Sequence, residues 1–432
     1  MRLERNFTYV QLFLLFVGFA LSVFYAQHQI LTGDQTQMLY KGYMGAYNGS
    51  WSSFGNAASV VGNVPGSAIS MAVGVPVMIY DSPWSPMLFL IFTHFLSYLL
   101  LDNVIKDVFK SDIRLAFLVV YWLNPWFLFE NILYNPSYLF LFSALHLWSA
   151  YKQREKSSFA YSFVHVLSIG LALQFHYSWL ILSIISLYLL FRKMVKVNWY
   201  GVFFGILIVA LSLVPYAMEF LNNEAIRRNS DPNASARYIG WGGVHVYPVL
   251  KSFLYWLRYG SLIFPNKLIA SAHFDWLGAS ATVQTIVGYL YKAVVFSIGA
   301  LSVYISYKAN KYVYDAIKRK VFVRSLLIDS KEEWLLLYVF GALFGVFVSS
   351  ILSPIVFSYW HLIIVFPFAI IPFLVYFKQY SSQYLNKFVV VATLYFLFVN
   401  IIGAIDSRKY SLERNYANDV KEYVRTTIKN PS

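Results

Sequence analysis

Eleven apolar runs separated by short basic clusters divide this chain of 432 residues, and that alternation limits it to a helical membrane protein. The hydrocarbon of a bilayer is crossed by about 20 apolar residues wound as a helix. Runs of that kind fall near 7–26, 84–101, 114–130, 132–151, 159–175, 177–191, 200–218, 283–307, 334–353, 359–377 and 387–405. Composition agrees, with 59% hydrophobic and 12% charged residues, against about 25% charged in an ordinary soluble domain. Aromatics reach 20%, which suits ring-rich belts at the two interfaces. The expectation is an all-α polytopic membrane protein with about 11 transmembrane helices.

Two pairs of runs fix the count. Residues 159–191 would make one overlong helix at about 1.5 Å per residue. Lys152, Arg154 and Lys156 precede them and Arg192, Lys193 and Lys196 follow. Two short spans return both clusters to one side. The stretch between Arg114 and Lys152 divides in the same way, broken at Asn124-Pro125 and Asn135-Pro136.

The net charge of +14 does not read as nucleic-acid binding, because the bases sit in short clusters between apolar runs. Such clusters mark cytoplasmic loops. One side collects 20 of the 34 bases, while the first opposite loop, 27–83, holds only Lys41. The N-terminus is therefore expected in the cytoplasm and the tail, 406–432, outside. The opening segment also has the look of a signal peptide, but the bulky Phe24 and Tyr25 favour a retained first span. A single transmembrane domain, 1–405, is expected, with long outward loops at 27–83 and 219–282. With no cysteine in the chain, disulfides and thiolate chemistry are excluded.

Polar groups gather at the outer ends of these spans. Asp34 lies shortly after the first span and is the only acid between it and Asp81. It can serve as a general base toward an acceptor hydroxyl, or as a helix N-cap ahead of a helix over 35–48. Gly62-Asn63-Val64-Pro65-Gly66 follows in the same loop. Glu130, Tyr134-Asn135-Pro136-Ser137, Gln174-Phe175-His176 and Tyr359-Trp360-His361 with Pro367 mark later outer ends. A histidine beside an interfacial tyrosine commonly has only a local partner, yet these groups all share one face.

On these residues the sequence resembles the C-type integral-membrane glycosyltransferases. It is most like the bacterial branch of glycosyltransferase family 39, with relatives among protein O-mannosyltransferases and aminoarabinose transferases of lipid A. The resemblance covers roughly residues 1–380. It is carried by Gly33-Asp34 in a long first outward loop, Asn135 to Ser137, Gln174 to His176 and His361 to Pro367. It implies transfer of a sugar, with inversion, from a polyprenyl-phosphate carrier to a lipid, glycan or protein acceptor outside the cytoplasm. It also implies Asp34 as catalytic base and a bacterial inner membrane facing the periplasm. Many relatives carry Asp-Glu where this chain has Asp34-Gln35, and an Arg a few residues on where the nearest base is Lys41.

A lipid-phosphate leaving group needs cations or backbone N–H groups. Lys41, Arg227, Arg228, Arg237, Arg258 and Lys292 are the candidates. Lys292 lies inside the eighth run, where an ionisable group is functional by default unless it snorkels to the interface. Arg227-Arg228 also fits a solvated loop. Glu130 would orient sugar or acceptor, or sit as an interfacial carboxylate. Asn135, Gln174, His176 and His361 complete the expected substrate-binding set. No cluster has metal-ligand spacing, so neither a metal site nor a cofactor is expected, with a divalent cation left open. The rival readings are a flippase of lipid-linked glycans, a surface-polysaccharide ligase or polymerase, and a non-enzymatic assembly subunit. The first would tend to show inverted repeats and broken mid-membrane helices, which are not evident.

Overall fold

The computed structural model describes residues 2–27, 32–57, 62–109, 111–224, 246–263, 274–323, 328, 330–353, 357–380, 382–405 and 415–429. The chain opens with α1 (Arg2–Gln27) and the first-loop elements α2 (Gly33–Asn48), β1 (Phe54–Ala57), β2 (Asn63–Pro65) and α3 (Ala68–Ile79). Next come α4 (Trp84–Val108), α5 (Ser111–Trp122), the short α6 (Pro125–Phe129) and a single-turn 3₁₀ segment, Asn135–Tyr138. They lead into α7 (Leu139–Gln153), α8 (Phe159–Phe175), α9 (Trp179–Phe191) and α10 (Trp199–Asn222). The rest is α11 (Val246–Tyr259), α12 (Ala281–Ile317), α13 (Lys331–Leu352), the broken helix α14 (Tyr359–Lys378), α15 (Ser382–Ile405) and α16 (Asn415–Lys429).

The protein is a helical, polytopic membrane protein, and each of the eleven apolar runs coincides with a helix. Among the described residues seven helices are long and apolar enough to cross a bilayer: α1, α4, α10, α12, α13, α14 and α15. The runs at 114–130, 159–175 and 177–191 form shorter apolar helices. The first of these bends where expected. Asn124 accepts a hydrogen bond from Trp126 N at 3.0 Å and caps α6, and Pro125 occupies its first turn.

α8 and α9 form the expected hairpin. Lys196 N donates to Gln153 O at 2.8 Å, and Asn198 N donates to Ser162 Oγ at 3.0 Å. Both basic clusters therefore lie at one end. Other charges fasten that end, through Arg114–Asp102 at 2.5 Å and Lys331–Asp107 at 2.6 Å. α10 packs closely on α8 because Gly201 faces it. A Cβ there would stand 2.4 Å from Phe159 O, the small-residue device for close packing of membrane helices. The densest core lies among α5, α6, α13 and α14, where Trp122, Phe127, Trp334, Tyr338 and Phe366 are fully buried.

Two features of the opposite end go beyond the sequence reading. The first loop contains α3, a twelve-residue apolar helix packed between α2, α4 and α8. The tail helix α16 also folds back onto α2. Asp81 meets Lys421 and Arg425, each at 2.6 Å, and the Arg425 guanidinium lies 4.9 Å from the Tyr47 ring centre. Val424 is sealed beneath the tail helix.

Candidate functional site

The site is built around the Asn135–Tyr138 turn, which touches α2, α8 and the first turn of α14. Asp34 stands in the first turn of α2, but it is not the cap. Thr32 is the N-cap, and Gln35 returns the contact by accepting from Thr32 N at 2.9 Å, a capping box. Gln35 is thus employed locally and buried, which gives the departure from an Asp-Glu pair a structural role. Asp34 is left with its carboxylate unbonded among the described residues, while its backbone carbonyl accepts from Asn56 Nδ2 at 3.0 Å. Burial raises its pKa above the ordinary value, against the favourable field of the helix N-terminus.

Lys41, two turns further along α2, is turned onto β1. Its ammonium donates to the carbonyls of Phe54, at 3.3 Å, and Gly55, and lies 4.4 Å from the Phe54 ring centre. Burial lowers its pKa to about 8, with Glu219 of α10 acting in the opposite sense. Glu219 also accepts from Ser53 Oγ, so α10 is tied to the first loop.

Gln174 and Asn135 are engaged in holding neighbouring elements together. Asn135 Nδ2 donates to Phe175 O and Gln174 Nε2 to Ser212 Oγ, both at 2.8 Å. Gly66, at φ 86°, leaves room for the Gln174 side chain, whose Oε1 would stand 2.3 Å from an added Cβ. Tyr177 OH donates to Asn63 O at 3.0 Å, joining the end of α8 to β2.

His176 and His361 meet, with ring centres 5.4 Å apart. Ser178 links them: its hydroxyl is 2.6 Å from His176 Nδ1 and donates to His361 O at 2.5 Å. Backbone N–H groups fix both rings. Ser178 N donates to His176 Nδ1 at 3.2 Å and Ser358 N donates to His361 Nδ1 at 2.9 Å. The His361 ring is left with its proton on Nε2, where it has no partner among the described residues. Burial pushes His176 well below the usual histidine range, so its neutral form prevails. The charge that His361 feels is Lys251 of α11, whose ammonium makes no bond among the described residues and whose pKa burial lowers. His176 and His361 thus meet ring to ring, and Lys251 lies within electrostatic reach of His361. Lys251 was missed in the sequence, although it and Arg258 lie seven residues apart on one face of an amphipathic helix.

The remaining candidates lie apart. Glu130 is sealed at 1% exposure, where its Oε2 accepts from Ser137 Oγ at 2.7 Å. Tyr134 lies within electrostatic reach of both Asp34 and Glu130, so the two carboxyls flank one residue. Lys292 is half-buried on α12 with its ammonium 5.8 Å from the ring centre of Tyr289, one turn nearer the helix start. That direction matches snorkelling. Arg258 lies 5.4 Å from the Tyr255 ring centre. Arg227, Arg228 and Arg237 fall outside the described residues. Among the described residues no group of three His, Cys, Asp or Glu could hold a metal.

No family profile matches the chain, and no curated protein matches it. It is similar in structure to ArnT from Cupriavidus metallidurans bound to undecaprenyl phosphate, with a TM-score of 0.49 at 11% identity over 98% of this chain and 77% of that one. It is also similar to the oligosaccharyltransferase of Archaeoglobus fulgidus in complex with Zn and sulfate, with a TM-score of 0.48 at 13% identity over 92% of this chain. A third likeness is to AglB of that organism with an inhibitory peptide and a dolichol-phosphate, at 12% identity and a TM-score of 0.44. The chain spans 53% and 59% of those two chains. These proteins belong to the class that the sequence motifs resemble. At such identity the roles of individual residues rest on the geometry above.

Proposed function

We propose that this protein is a membrane glycosyltransferase that moves a sugar from a polyprenyl-phosphate donor to an acceptor hydroxyl with inversion. The observation that carries the reading is the meeting of His176 and His361, with the His361 Nε2–H unoccupied among the described residues and Lys251 within electrostatic reach of that ring. An N–H donor and a nearby ammonium in a half-buried place suit an anionic oxygen ligand. A lipid-linked sugar phosphate supplies one at the depth where span ends meet the interface. The phosphate is the leaving group, so the same contacts hold the donor and stabilise charge as the glycosidic bond breaks.

Asp34 stands across the Asn135–Tyr138 turn from this cradle, on an element built in the first loop. Its carboxylate has no internal partner, and a base with a raised pKa takes a hydroxyl proton more readily than an ordinary aspartate. Inversion follows if the acceptor attacks from the Asp34 side while the phosphate leaves toward His176, His361 and Lys251. Lys41 supports β1 in this arrangement and Glu130 lies beneath it. Eleven crossings, a cytoplasmic N-terminus and an outward site belong to the same reading. In support, the described basic clusters of the α4–α5, α7–α8 and α9–α10 turns share one end of the bundle, and α16 returns to the end that carries α2.

The test is transfer by purified protein in lipid, supplied with polyprenyl-phosphate sugars. Asp34→Asn is expected to lower turnover by about 10² to 10⁴-fold, with unchanged expression and thermal stability. Full activity in that variant would remove Asp34 from the chemistry. Movement of lipid-linked sugar across vesicles without a new glycosidic bond would favour the flippase.

A further inference from the structure

The two halves of the site are joined unequally. The anion cradle holds itself together, because Ser178 Oγ donates to His361 O and Tyr259 OH of α11 donates to Tyr359 O, each at 2.5 Å. The side chain–backbone bonds described between α2 and β1 stay within the first loop, with Asn56 Nδ2 donating to Asp34 O, Ala57 N to Gln37 Oε1 and Lys41 Nζ to Phe54 O. Both sides instead rest on the Asn135–Tyr138 turn. A single turn of 3₁₀ helix has poor internal hydrogen bonding, so its position must come from side chains.

Those side chains are Glu130, His94 and Asn131. Ser137 Oγ donates to Glu130 Oε2 at 2.7 Å, and His94 Nε2 donates to Ser137 O at 2.9 Å. One residue of the turn is therefore gripped through both its hydroxyl and its carbonyl. His94 is packed in place beside Asn131, with its ring 4.9 Å and 5.2 Å from those of Phe127 and Phe140. Asn131 is anchored by donating to Leu128 O at 3.0 Å and to Ser22 Oγ of α1 at 3.2 Å. The grip thus reaches from α1 and α4 to the turn. His94, Ser137, Glu130 and Asn131 are all at 1% exposure or less. A substrate would have to dismantle the packing to touch them.

We infer that Glu130 and His94 are positioning residues that grip Ser137 and so set the separation between Asp34 on α2 and the anion cradle. This rests on the glycosyltransferase reading. The grip needs an acceptor at position 130 rather than a charge, because a carboxamide oxygen accepts from a hydroxyl as a carboxylate does. Displacing a reacting group by about 1 Å is enough to lower turnover by about 10²-fold. The cradle is fastened independently, so donor binding is spared.

Four variants and two readouts test this. Glu130→Leu and Ser137→Ala are each expected to lower kcat by about 10²-fold with the donor KM little changed. The double variant should be no worse than either single one, since both remove the same bond. Glu130→Gln should restore kcat to near the wild-type value. The second readout needs no turnover: the chain has no cysteine, so Asn48→Cys and Leu180→Cys accept a spin label each. The distance distribution between α2 and α9 should broaden with Glu130→Leu or Ser137→Ala and narrow again with Glu130→Gln. Full turnover and an unaltered distribution in Glu130→Leu would overturn the inference. So would Glu130→Gln as inactive as Glu130→Leu, which would make the charge itself a participant. If wild-type protein transfers no sugar at all, the glycosyltransferase reading fails and the spin-label distances alone judge the grip.

Discussion

Replacing Lys251 by methionine isolates the contact proposed between it and the donor phosphate, because the ammonium bonds to nothing among the described residues. The stem keeps its packing on α11, so the loss falls on the ligand. A hydrogen bond to a charged group contributes about 1.5–3 kcal/mol, and each 1.4 kcal/mol is about tenfold in binding. The donor KM should therefore rise by about 10 to 150-fold, with kcat lowered as well because the same contact stabilises the charge on the leaving phosphate. Burial already lowers the pKa of Lys251. Donor affinity should accordingly fall, as pH rises, before an ordinary lysine would lose its proton, and that fall should vanish in Lys251→Met. Steady-state kinetics against a polyprenyl-phosphate sugar between pH 6.5 and pH 10, a range chosen around lysine's ordinary value of about 10.4, would measure both effects. An unchanged KM in Lys251→Met, with active wild type beside it, would refute the anion cradle.

Further outcomes follow from other contacts. Gly66→Ala places a Cβ against the Gln174 side chain at a φ of 86°, at a cost of about 1–3 kcal/mol; an unchanged melting temperature would show that the β2–α8 junction gives way freely. Lys41 is lowered to about 8 when folded and titrates at about 10.4 when unfolded, so between those values the unfolded chain binds more protons. Stability should therefore rise with pH across that window and do so less in Lys41→Met, and parallel melting curves would place the ammonium in water. Asp81→Asn should cost under about 1 kcal/mol, since exposed ion pairs contribute little. Val424→Asp should instead release α16 and expose its amides to hydrogen exchange, and retained protection would mean that the ion pairs carry the contact after all.

The readability of the fold came from the solvent it is built for. A helix in hydrocarbon must be apolar over its whole length and must satisfy its backbone internally. The spans, the paired turns at 152–158 and 192–198 and the break at Asn124-Pro125 could therefore be read from order alone. The site was less legible. Asp34, His176 and His361 stand out because polar groups at span ends are few, but their partners lie far away in the chain. Gln35 reads as a lost carboxylate until Thr32 is seen to cap the helix with it. Lys251 sits in a segment that hydropathy assigns to a loop, and nothing local distinguishes it from Lys41 or Lys292.

The sequence by itself determined that this protein lives among lipids, where its helices fall, and which end carries most of the bases, because those follow from one-dimensional patterns of apolarity and charge. Tertiary structure decided which polar groups meet. It brought His176 to His361 with Lys251 in electrostatic reach of the latter, turned Lys41 toward β1, drew Glu130 beneath the Asn135–Tyr138 turn and returned α16 to α2. Each of those contacts spans residues far apart in sequence and depends on how helices of similar composition pack, which no local pattern encodes.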